Sequence, residues 1–354
     1  MAFQRIVNLR KSLKLEGSDA YLTTTPHHLY YLTGFTGGEG FFVLTSDRAI
    51  LLVDGRYTTQ ASDEVYEGIE VVLFTKIWEE LPSYLKDVKK LWLEENVVTL
   101  SFYKKLKEVM PHTIEFAYAD EALTYMRMFK DDYEKSLILK AIDIAQKAFL
   151  KTLEIIKPGV SEKDIAAELS YHMRKLGAEK ESFDIIVASG YRGALPHGVA
   201  SDKKIEEGEL IVIDWGAFYK GYVSDLTRMV VLGKVDENSL YALNAVKYAQ
   251  EKAIEDARCC MMAKEIDAIA RNYLKEKNLA QYFTHSLGHG IGVEIHERPR
   301  ISYMSDEDIK EGIAFTIEPG VYLPGEFGIR IEDDVVMGSE KVKVLSSLDK
   351  VFYL

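Results

Sequence analysis

The sequence predicts two α/β domains that join near residue 125, with the first at 1–125 and the second at 126–354. In the first part of the chain, short apolar runs such as GFFVLTS (40–46) alternate with helical stretches, which is typical of a small domain with a largely buried sheet. Around residues 126–132 the pattern changes to long amphipathic helices, followed by hairpin-rich strands. The length of 354 residues suits two domains of ordinary size.

Local signals predict the elements in order. Residues 1–17 indicate an amphipathic, basic helix that opens the first domain. In the second domain a helical period begins at Asp131 and ends at Lys157-Pro158-Gly159, because proline and glycine stop a helix. Ser161 then fits the N-cap of a second helix. Two further helices are predicted before the last block of strands, at 238–257 and 264–277.

The composition disfavours some classes of partner and suggests a cellular setting. The net charge of −12 argues against a nucleic acid as the main partner. No apolar run approaches the roughly 20 residues that cross a membrane, and the N-terminal helix lacks the apolar core of a signal peptide. The two cysteines, Cys259 and Cys260, are adjacent in a stretch that we expect to be helical and to pack in the core. We therefore expect a reducing, cytoplasmic setting and no structural zinc.

Four acidic residues stand in apolar, strand-like surroundings. Asp214 ends LIVID, Asp225 lies in YVSDLTRMVV, Glu318 follows AFTI, and Glu332 lies in GIRIEDDVV. Asp214 alone could be an acid that caps a turn. Four carboxylates in one interior, however, either become protonated or bind a cation. The segment 213–225, with Asp214 and Asp225, also resembles the segment 317–332, with Glu318 and Glu332. Each is predicted to be a strand, a turn and a strand, with one acid on either strand.

Hard oxygen ligands with one imidazole suit divalent manganese, cobalt, iron or zinc. Carboxylates can also bridge two ions about 3.5–4 Å apart. Residues two apart on a strand share a face, so three neighbours of the acids are candidate donors that orient the carboxylates: Thr227, Thr316 and Arg330.

Three of the eight histidines, His285, His289 and His296, fall within twelve residues, and His197 lies upstream in GALPHGVA. The glycines of THSLGHGIG disfavour a helix through His289, and the stretch matches neither H-E-x-x-H nor a phosphate-binding P-loop. A structural role remains an alternative for any one of these histidines. Together with the four acids, the cluster favours a metal site.

The contexts IDWG, SDLTR, LGHGIG, TIEPG and RIED resemble the dinuclear metallopeptidases with the pita-bread fold, which include methionine aminopeptidase, aminopeptidase P and prolidase. Residues 131–354 carry this resemblance, and YYLTGFTGGEG and LVDGRYTTQA resemble the creatinase-type N-terminal domain of the proline-specific branch. The resemblance implies a creatinase-like α/β domain followed by a pita-bread α+β catalytic domain.

The resemblance also implies a set of ligands. One ion would be held by Asp225, His289, Glu318 and Glu332, and a second by Asp214, Asp225 and Glu332. Manganese or cobalt is expected, with zinc or iron as alternatives. Glu318 would shuttle the proton during hydrolysis.

On the substrate side, the resemblance places His197, His285 and His296 around the peptide, with His197 and His285 at the scissile carbonyl. Phe183 and Tyr322 would line a proline pocket, and we group Arg330 with the substrate-binding residues. Arg300, in HERPR, would grip the free carboxylate of a dipeptide that ends in proline; a surface position is the alternative.

The expected function is thus hydrolysis of Xaa-Pro bonds by a prolidase, or Xaa-Pro dipeptidase. The first alternative is an aminopeptidase P that accepts longer Xaa-Pro peptides. A non-catalytic pita-bread binding protein and a metal-free amidinohydrolase are more distant alternatives, because both predict lost ligands. The resemblance further implies a homodimer.

Overall fold

The structure is a computed structural model that describes the backbone of residues 2–354, and the side chains of all of these except 2, 3 and 120. The chain divides into two compact units between Met126 and Arg127. The first unit has one sheet and the second has several, and each unit has its own apolar core.

The first unit is built on one mixed sheet. Its strands are β1 (Asp19–Thr23), β2 (Phe41–Thr45), β3 (Ala49–Val53), β4 (Glu70–Leu73), β5 (Lys90–Leu93) and β6 (Glu115–Tyr118). Its helices are α1 (Ala2–Leu13), α2 (Pro26–Thr33), α3 (Thr58–Glu64), α4 (Ile77–Tyr84), α5 (Leu100–Val109) and α6 (Asp120–Met128), of which α6 crosses the division.

The order of this sheet is β4-β3-β2-β1-β5-β6, with β1 parallel to β5 and antiparallel to β2. Leu81 of α4 and Leu106 of α5 pack with Leu22 and Leu52 of the strands in one core. The helix α1 ends earlier than the predicted 1–17, because the chain turns at Lys14, which has a φ of 50°.

The second unit contains helices α7 (Asp132–Thr152), α8 (Glu162–Lys175), α9 (Glu237–Asp256) and α10 (Ala263–Glu276). Its strands are β7 (Lys180–Glu181), β8 (Ile186–Ser189), β9 (Leu210–Trp215), β10 (Ala217–Tyr219), β11 (Tyr222–Val223), β12 (Leu226–Val231), β13 (Gly288–Gly290), β14 (Glu297–Ile301), β15 (Ala314–Ile317), β16 (Gly320–Leu323), β17 (Phe327–Arg330), β18 (Asp333–Met337), β19 (Val342–Val344) and β20 (Val351–Tyr353).

Side chains define where the helices of this unit begin. Asp131 caps α7 and forms a capping box with Glu134, and Ser161 caps α8 in the same way with Asp164. The helix α9 stops at Asp256, so the two cysteines lie in the turn before α10 and not in a buried helix as expected. Cys260 is exposed there, with a φ of 68°.

Two sheets of the second unit meet where the acidic residues lie. One has the order β20-β12-β9-β8 and the other has the order β14-β13-β15-β18-β19. A backbone bridge between Thr227 and Glu332 joins them. Side chains of α9 and α10 pack with side chains of both sheets in a continuous core. No helix among the described residues has the length and apolar character needed to span a membrane.

Candidate metal centre

The register of the strands brings the acidic residues together. Asp214 lies near the end of β9, and Thr227 of β12 is its partner in the antiparallel register. Asp225 directly precedes β12, and Glu332 lies between β17 and β18, where its backbone pairs with Thr227. Asp214, Asp225 and Glu332 are all buried.

His289, at the centre of β13, faces these carboxylates. Its Nε2 lies 3.6 Å from Oδ2 of Asp225 and 3.4 Å from Oε1 of Glu318, which follows β15. Its Nδ1 lies 3.1 Å from the carbonyl oxygen of Gly290, which can only accept a hydrogen bond. A neutral ring therefore carries its proton on Nδ1 and presents the lone pair of Nε2 to the carboxylates. Burial, together with the nearby His296, lowers the pKa of His289 to about 4, so the imidazole is neutral as a metal ligand must be.

The carboxyl groups are poorly stabilised as anions by the protein alone. Burial raises the pKa of Asp225 and of Glu332 well above the ordinary values, and neighbouring carboxylates add to the effect. Burial also raises the pKa of Glu318 to about 8, although Arg330 opposes the shift. A bound cation would remove this penalty, because it favours the ionised form of each group.

The individual oxygens fit a metal site. Among the described side chains, Oδ1 of Asp214 and Oε1 of Glu332 are buried without a hydrogen-bond partner. The second oxygen of each group is held, since Oδ2 of Asp214 accepts from Arg330 and Oε2 of Glu332 accepts from Thr227 at 2.6 Å. Ligand atoms of Asp225, His289 and Glu332 lie within 4.8 Å of one another. Asp214 and Glu332 therefore each keep one oxygen free for a divalent ion.

The three neighbouring donors contact the acids. Besides the hydrogen bond from Thr227 to Glu332, the hydroxyl of Thr316 donates to Oε1 of Glu318 at 3.2 Å. Arg330 donates to Asp214, to the Thr227 hydroxyl at 3.2 Å and to the Tyr322 hydroxyl at 2.8 Å. The carboxylates of Asp214, Glu318 and Glu332 are therefore each oriented by one of these three residues.

Sequence reasoning missed a buried layer of charge behind the acids. Arg228 is fully buried, donates to the carbonyl oxygen of Glu332 and pairs with Asp333 at 2.7 Å. Asp334 accepts from the backbone N–H of Asp225 at 2.9 Å. The signal was present in the sequence, because the buried strand GIRIEDDVV carries three consecutive acids rather than one.

A second polar group lies beside the metal ligands. Nε2 of His285 lies 3.0 Å from the Tyr322 hydroxyl, and its Nδ1 lies 2.8 Å from the carbonyl oxygen of Ser286. Burial and then Arg330 lower the pKa of His285 to about 4, so the ring is neutral. Since the carbonyl oxygen must accept, Nδ1 carries the proton and Nε2 accepts from Tyr322.

The other predicted substrate residues lie nearer the surface. The rings of His296 and His289 meet edge to face with centroids 4.4 Å apart. His197 is exposed. Burial is the main cause of the lowered pKa of His296 and His197 is the next, and His197 also contributes to the lowered pKa of His285. His197 therefore lies near both rings. Phe183 is half-buried.

Arg300 is exposed on β14 and stands directly opposite His289 in the antiparallel register. Directly opposed residues of an antiparallel pair project from the same face of the sheet. Within the described part of the chain, no carboxylate lies in ion-pair distance of its guanidinium, whereas Arg298 of the same strand pairs with Glu307 at 2.8 Å. Arg300 is thus free to bind an external carboxylate.

Comparison with known proteins agrees with this geometry. The model for metallopeptidase family M24 matches residues 136–339, and the model for the creatinase/prolidase N-terminal domain matches residues 5–129. A Xaa-Pro dipeptidase of Pyrococcus furiosus is 40% identical over 348 residues, which cover 98% of this chain and 99% of that protein.

Two solved structures are similar over the whole chain. A Xaa-Pro dipeptidase from Bacillus anthracis has a TM-score of 0.96 at 40% identity and covers 100% of both chains. An X-Pro aminopeptidase from Thermotoga maritima has a TM-score of 0.91 at 40% identity and covers 97% of this chain and 100% of that one. The predicted fold class is confirmed, and the chain belongs to metallopeptidase family M24, with a creatinase/prolidase N-terminal domain before the peptidase domain.

Proposed function

We propose that this protein hydrolyses Xaa-Pro peptide bonds with the help of divalent metal ions, and that Xaa-Pro dipeptides are its principal substrates. The observation that carries the proposal is the buried set of carboxylates and one imidazole, in which Asp214 and Glu332 each keep one oxygen without a partner among the described residues. The bond type is supported by a relative named Xaa-Pro dipeptidase, 40% identical over 98% of this chain.

The residues present suit two ions. We assign one to Asp225, His289, Glu318 and Glu332, and the second to Asp214, Asp225 and Glu332. Carboxylate oxygens with a single imidazole favour manganese or cobalt, with zinc or iron as alternatives. When bound, the ions would supply Lewis acidity and lower the pKa of water enough for it to attack a peptide carbonyl.

Glu318 is the proton carrier in this proposal. The nitrogen of a peptidyl-prolyl bond has no N–H, and it must gain a proton before proline can leave. The carboxyl group of Glu318 lies beside the other ligands, with Oε1 3.4 Å from Nε2 of His289. It would accept a proton from water and pass it to the proline nitrogen.

The carbonyl oxygen of the substrate needs a hydrogen-bond donor on the protein. His285 was expected in that role with His197, but both of its ring nitrogens are already engaged, by Ser286 and Tyr322. We therefore assign the donor role to His197 and a positioning role to His285, which holds the Tyr322 hydroxyl. His296 and Phe183, together with the Tyr322 ring, would line the peptide and its proline.

Arg300 determines the preferred length of the peptide in this proposal. A guanidinium binds a carboxylate through two parallel hydrogen bonds, and a dipeptide places its carboxylate directly after proline. An aminopeptidase that accepts longer peptides is the alternative, favoured by the similarity to the Thermotoga maritima X-Pro aminopeptidase. A non-catalytic binding role is disfavoured, because every metal ligand of the predicted set is present.

The remaining parts of the proposal concern the protein in the cell. We place it in the cytoplasm, the reducing setting that the adjacent Cys259 and Cys260 suggest, and we propose a homodimer, as the family resemblance implies. Sedimentation at several protein concentrations tests the dimer, and a single species of the mass of one chain would contradict it.

Steady-state kinetics with the metal-loaded protein test the substrate assignment. We expect Ala-Pro and Met-Pro to be cleaved, Ala-Pro-Ala to be cleaved more slowly, and Ala-Ala to be a poor substrate. Equal rates on Ala-Pro and Ala-Ala would contradict a proline-specific site. Faster cleavage of the tripeptide would favour the aminopeptidase alternative.

A further inference from the structure

Glu162, the first residue of α8, holds the loop that carries His197. Its side chain is fully buried. Oε1 accepts from the backbone N–H of Ser189 at 2.8 Å and from its hydroxyl at 2.9 Å. Oε2 accepts from the N–H and hydroxyl of Ser201 at 3.0 and 2.6 Å, and from Nε of Arg192 at 2.9 Å. One carboxylate therefore receives five hydrogen bonds from three residues.

These donors bracket the segment 190–200, which we call the His197 loop. Ser189 ends β8 immediately before the loop, and Ser201 follows it. Arg192 lies within the loop and also donates to the carbonyl oxygen of Val199 at 2.7 Å. Both ends of the loop and its middle are thus tied to a single buried group.

The opposite side of the loop packs on β17, close to the candidate metal ligands. The backbones of Gly193 and Gly328 touch, because a Cβ added at Gly328 would lie 1.8 Å from the carbonyl oxygen of Gly193. Arg330 donates to the carbonyl oxygen of Pro196 at 3.0 Å, and the same guanidinium holds Asp214. The residue before His197 is therefore fixed to the arginine that orients a metal ligand.

Glu162 is not needed to begin its own helix. The capping box of Ser161 and Asp164 already closes the start of α8. Burial opposes the charge of Glu162, but the hydrogen bonds from Ser201 and Ser189 outweigh it and lower the pKa of the carboxyl group, so it is ionised at neutral pH. A buried anion with this many donors, all directed to one loop, points to a requirement for the position of that loop.

We propose that Glu162 is a positioning residue of the active site, whose carboxylate fixes the His197 loop so that the imidazole reaches the carbonyl oxygen of the bound peptide. The inference rests on the proposed function, because it requires His197 to act on the substrate. It predicts that Glu162 influences turnover only through His197.

Glu162→Gln tests the proposal with little change of shape. Glutamine places an NH₂ group where one carboxylate oxygen accepted hydrogen bonds, so the hydrogen bonds to that oxygen are lost. The fold should survive, since the backbone N–H groups of Glu162 and Lys163 still bind the carbonyl oxygens of Lys203 and Ser201. We expect kcat on Ala-Pro to fall about 10²-fold, the effect of misplacing a catalytic group by about 1 Å, with unchanged manganese content. Amide hydrogen exchange in the His197 loop should become faster.

A double-mutant cycle with His197→Ala separates positioning from a general structural role. The double variant should be no slower than His197→Ala alone, because the loop no longer carries a group to position. Asp202→Asn is the matched control. It removes an exposed ion pair of 2.9 Å between Lys163 of α8 and Asp202, which lies just after the His197 loop. This control should keep both normal turnover and normal loop exchange.

Multiplicative losses in the double variant, or normal turnover and loop exchange in Glu162→Gln, would overturn the proposal. If Glu162→Gln does not fold, Ser201→Ala removes the 2.6 Å hydrogen bond and should show a smaller loss with the same dependence on His197. If the wild-type protein cleaves no Xaa-Pro peptide, the proposed function fails. The exchange measurement still shows whether Glu162 holds the loop.

Discussion

Arg330 donates a hydrogen bond to Oδ2 of Asp214, while Oδ1 of the same carboxylate is buried without a partner among the described residues. The guanidinium thus fixes one oxygen of the acid and leaves the other available to a ligand. Arg330 also contacts the Tyr322 hydroxyl. A single side chain therefore connects the candidate ligands to the groups that would surround the substrate.

Arg330→Lys should weaken the binding of the metal ion that we assign to Asp214. Lysine keeps the charge but cannot reproduce the fork that reaches Asp214, Tyr322 and the Pro196 carbonyl oxygen together. We expect affinity for that ion to fall roughly 10- to 100-fold, as for other residues that orient ligands. Calorimetric titration with manganese measures it, and Arg174→Lys, at an exposed pair with Glu181, is the control. Unchanged binding would exclude this role.

His289→Ala and His285→Ala should have different effects, although the two residues are four positions apart. His289 presents Nε2 to Asp225 and Glu318, so its loss should remove metal first. His285 contacts Tyr322 and Ser286, so its loss should leave both ions in place and lower kcat, by up to about 10²-fold. Metal content after dialysis and kcat, measured on the same samples, distinguish them. Equal metal loss in both variants would contradict the assignment.

Arg300→Ala should affect dipeptides much more than tripeptides. A hydrogen bond to a charged group contributes about 1.5–3 kcal/mol, so kcat/KM for Ala-Pro should fall roughly 10- to 100-fold. Ala-Pro-Ala, whose carboxylate lies one residue further on, should lose less. Arg298→Ala on the same strand is the control, because Arg298 is engaged by Glu307. Equal losses on both peptides would leave Arg300 without a role in selecting peptide length.

The stability of the metal-free protein should fall as the pH rises. Burial raises the pKa of Glu318 to about 8 in the folded protein, against about 4.3 for an unfolded chain. A group with a raised folded pKa stabilises the fold fully below its unfolded pKa, and this contribution is lost as the pH rises through the folded value. The Tm of chelated protein should therefore decrease between about pH 7 and pH 8, above the ordinary pKa of the buried histidines, and bound manganese should reduce the decrease. Identical profiles with and without metal would contradict the coupling.

Local signals in the sequence predict much of this fold. The caps at Asp131 and Ser161 lie where turn chemistry indicates, and α9 and α10 differ from their predicted ranges by one residue at each end. The end of α1 and the turn at Cys260 were missed, because each depends on a residue with a positive φ that no sequence pattern announces.

Some contacts of the candidate site can likewise be predicted from the sequence, and others cannot. The period of a strand places Thr316 beside Glu318, and the hydroxyl of Thr316 donates to that carboxylate. Thr227 and Arg330 also contact acids, but they donate to Glu332 and Asp214, which lie on other segments. Contacts between distant segments could not be predicted. Glu162 reaches Ser201 across 39 residues, and Arg228 reaches Asp333 across 105, and only the packed fold brings such groups together.

The most direct experiment asks whether Xaa-Pro hydrolysis depends on bound metal. Protein freed of metal by chelation and dialysis is titrated with manganese or cobalt, and Ala-Pro cleavage is followed against ions bound per chain. We expect no turnover without metal, recovery as about two ions bind, and no recovery in Glu332→Gln, which lacks an acid assigned to both ions. Full activity of the metal-free protein, or a fully loaded protein inert on every proline peptide, would contradict metal-dependent Xaa-Pro hydrolysis.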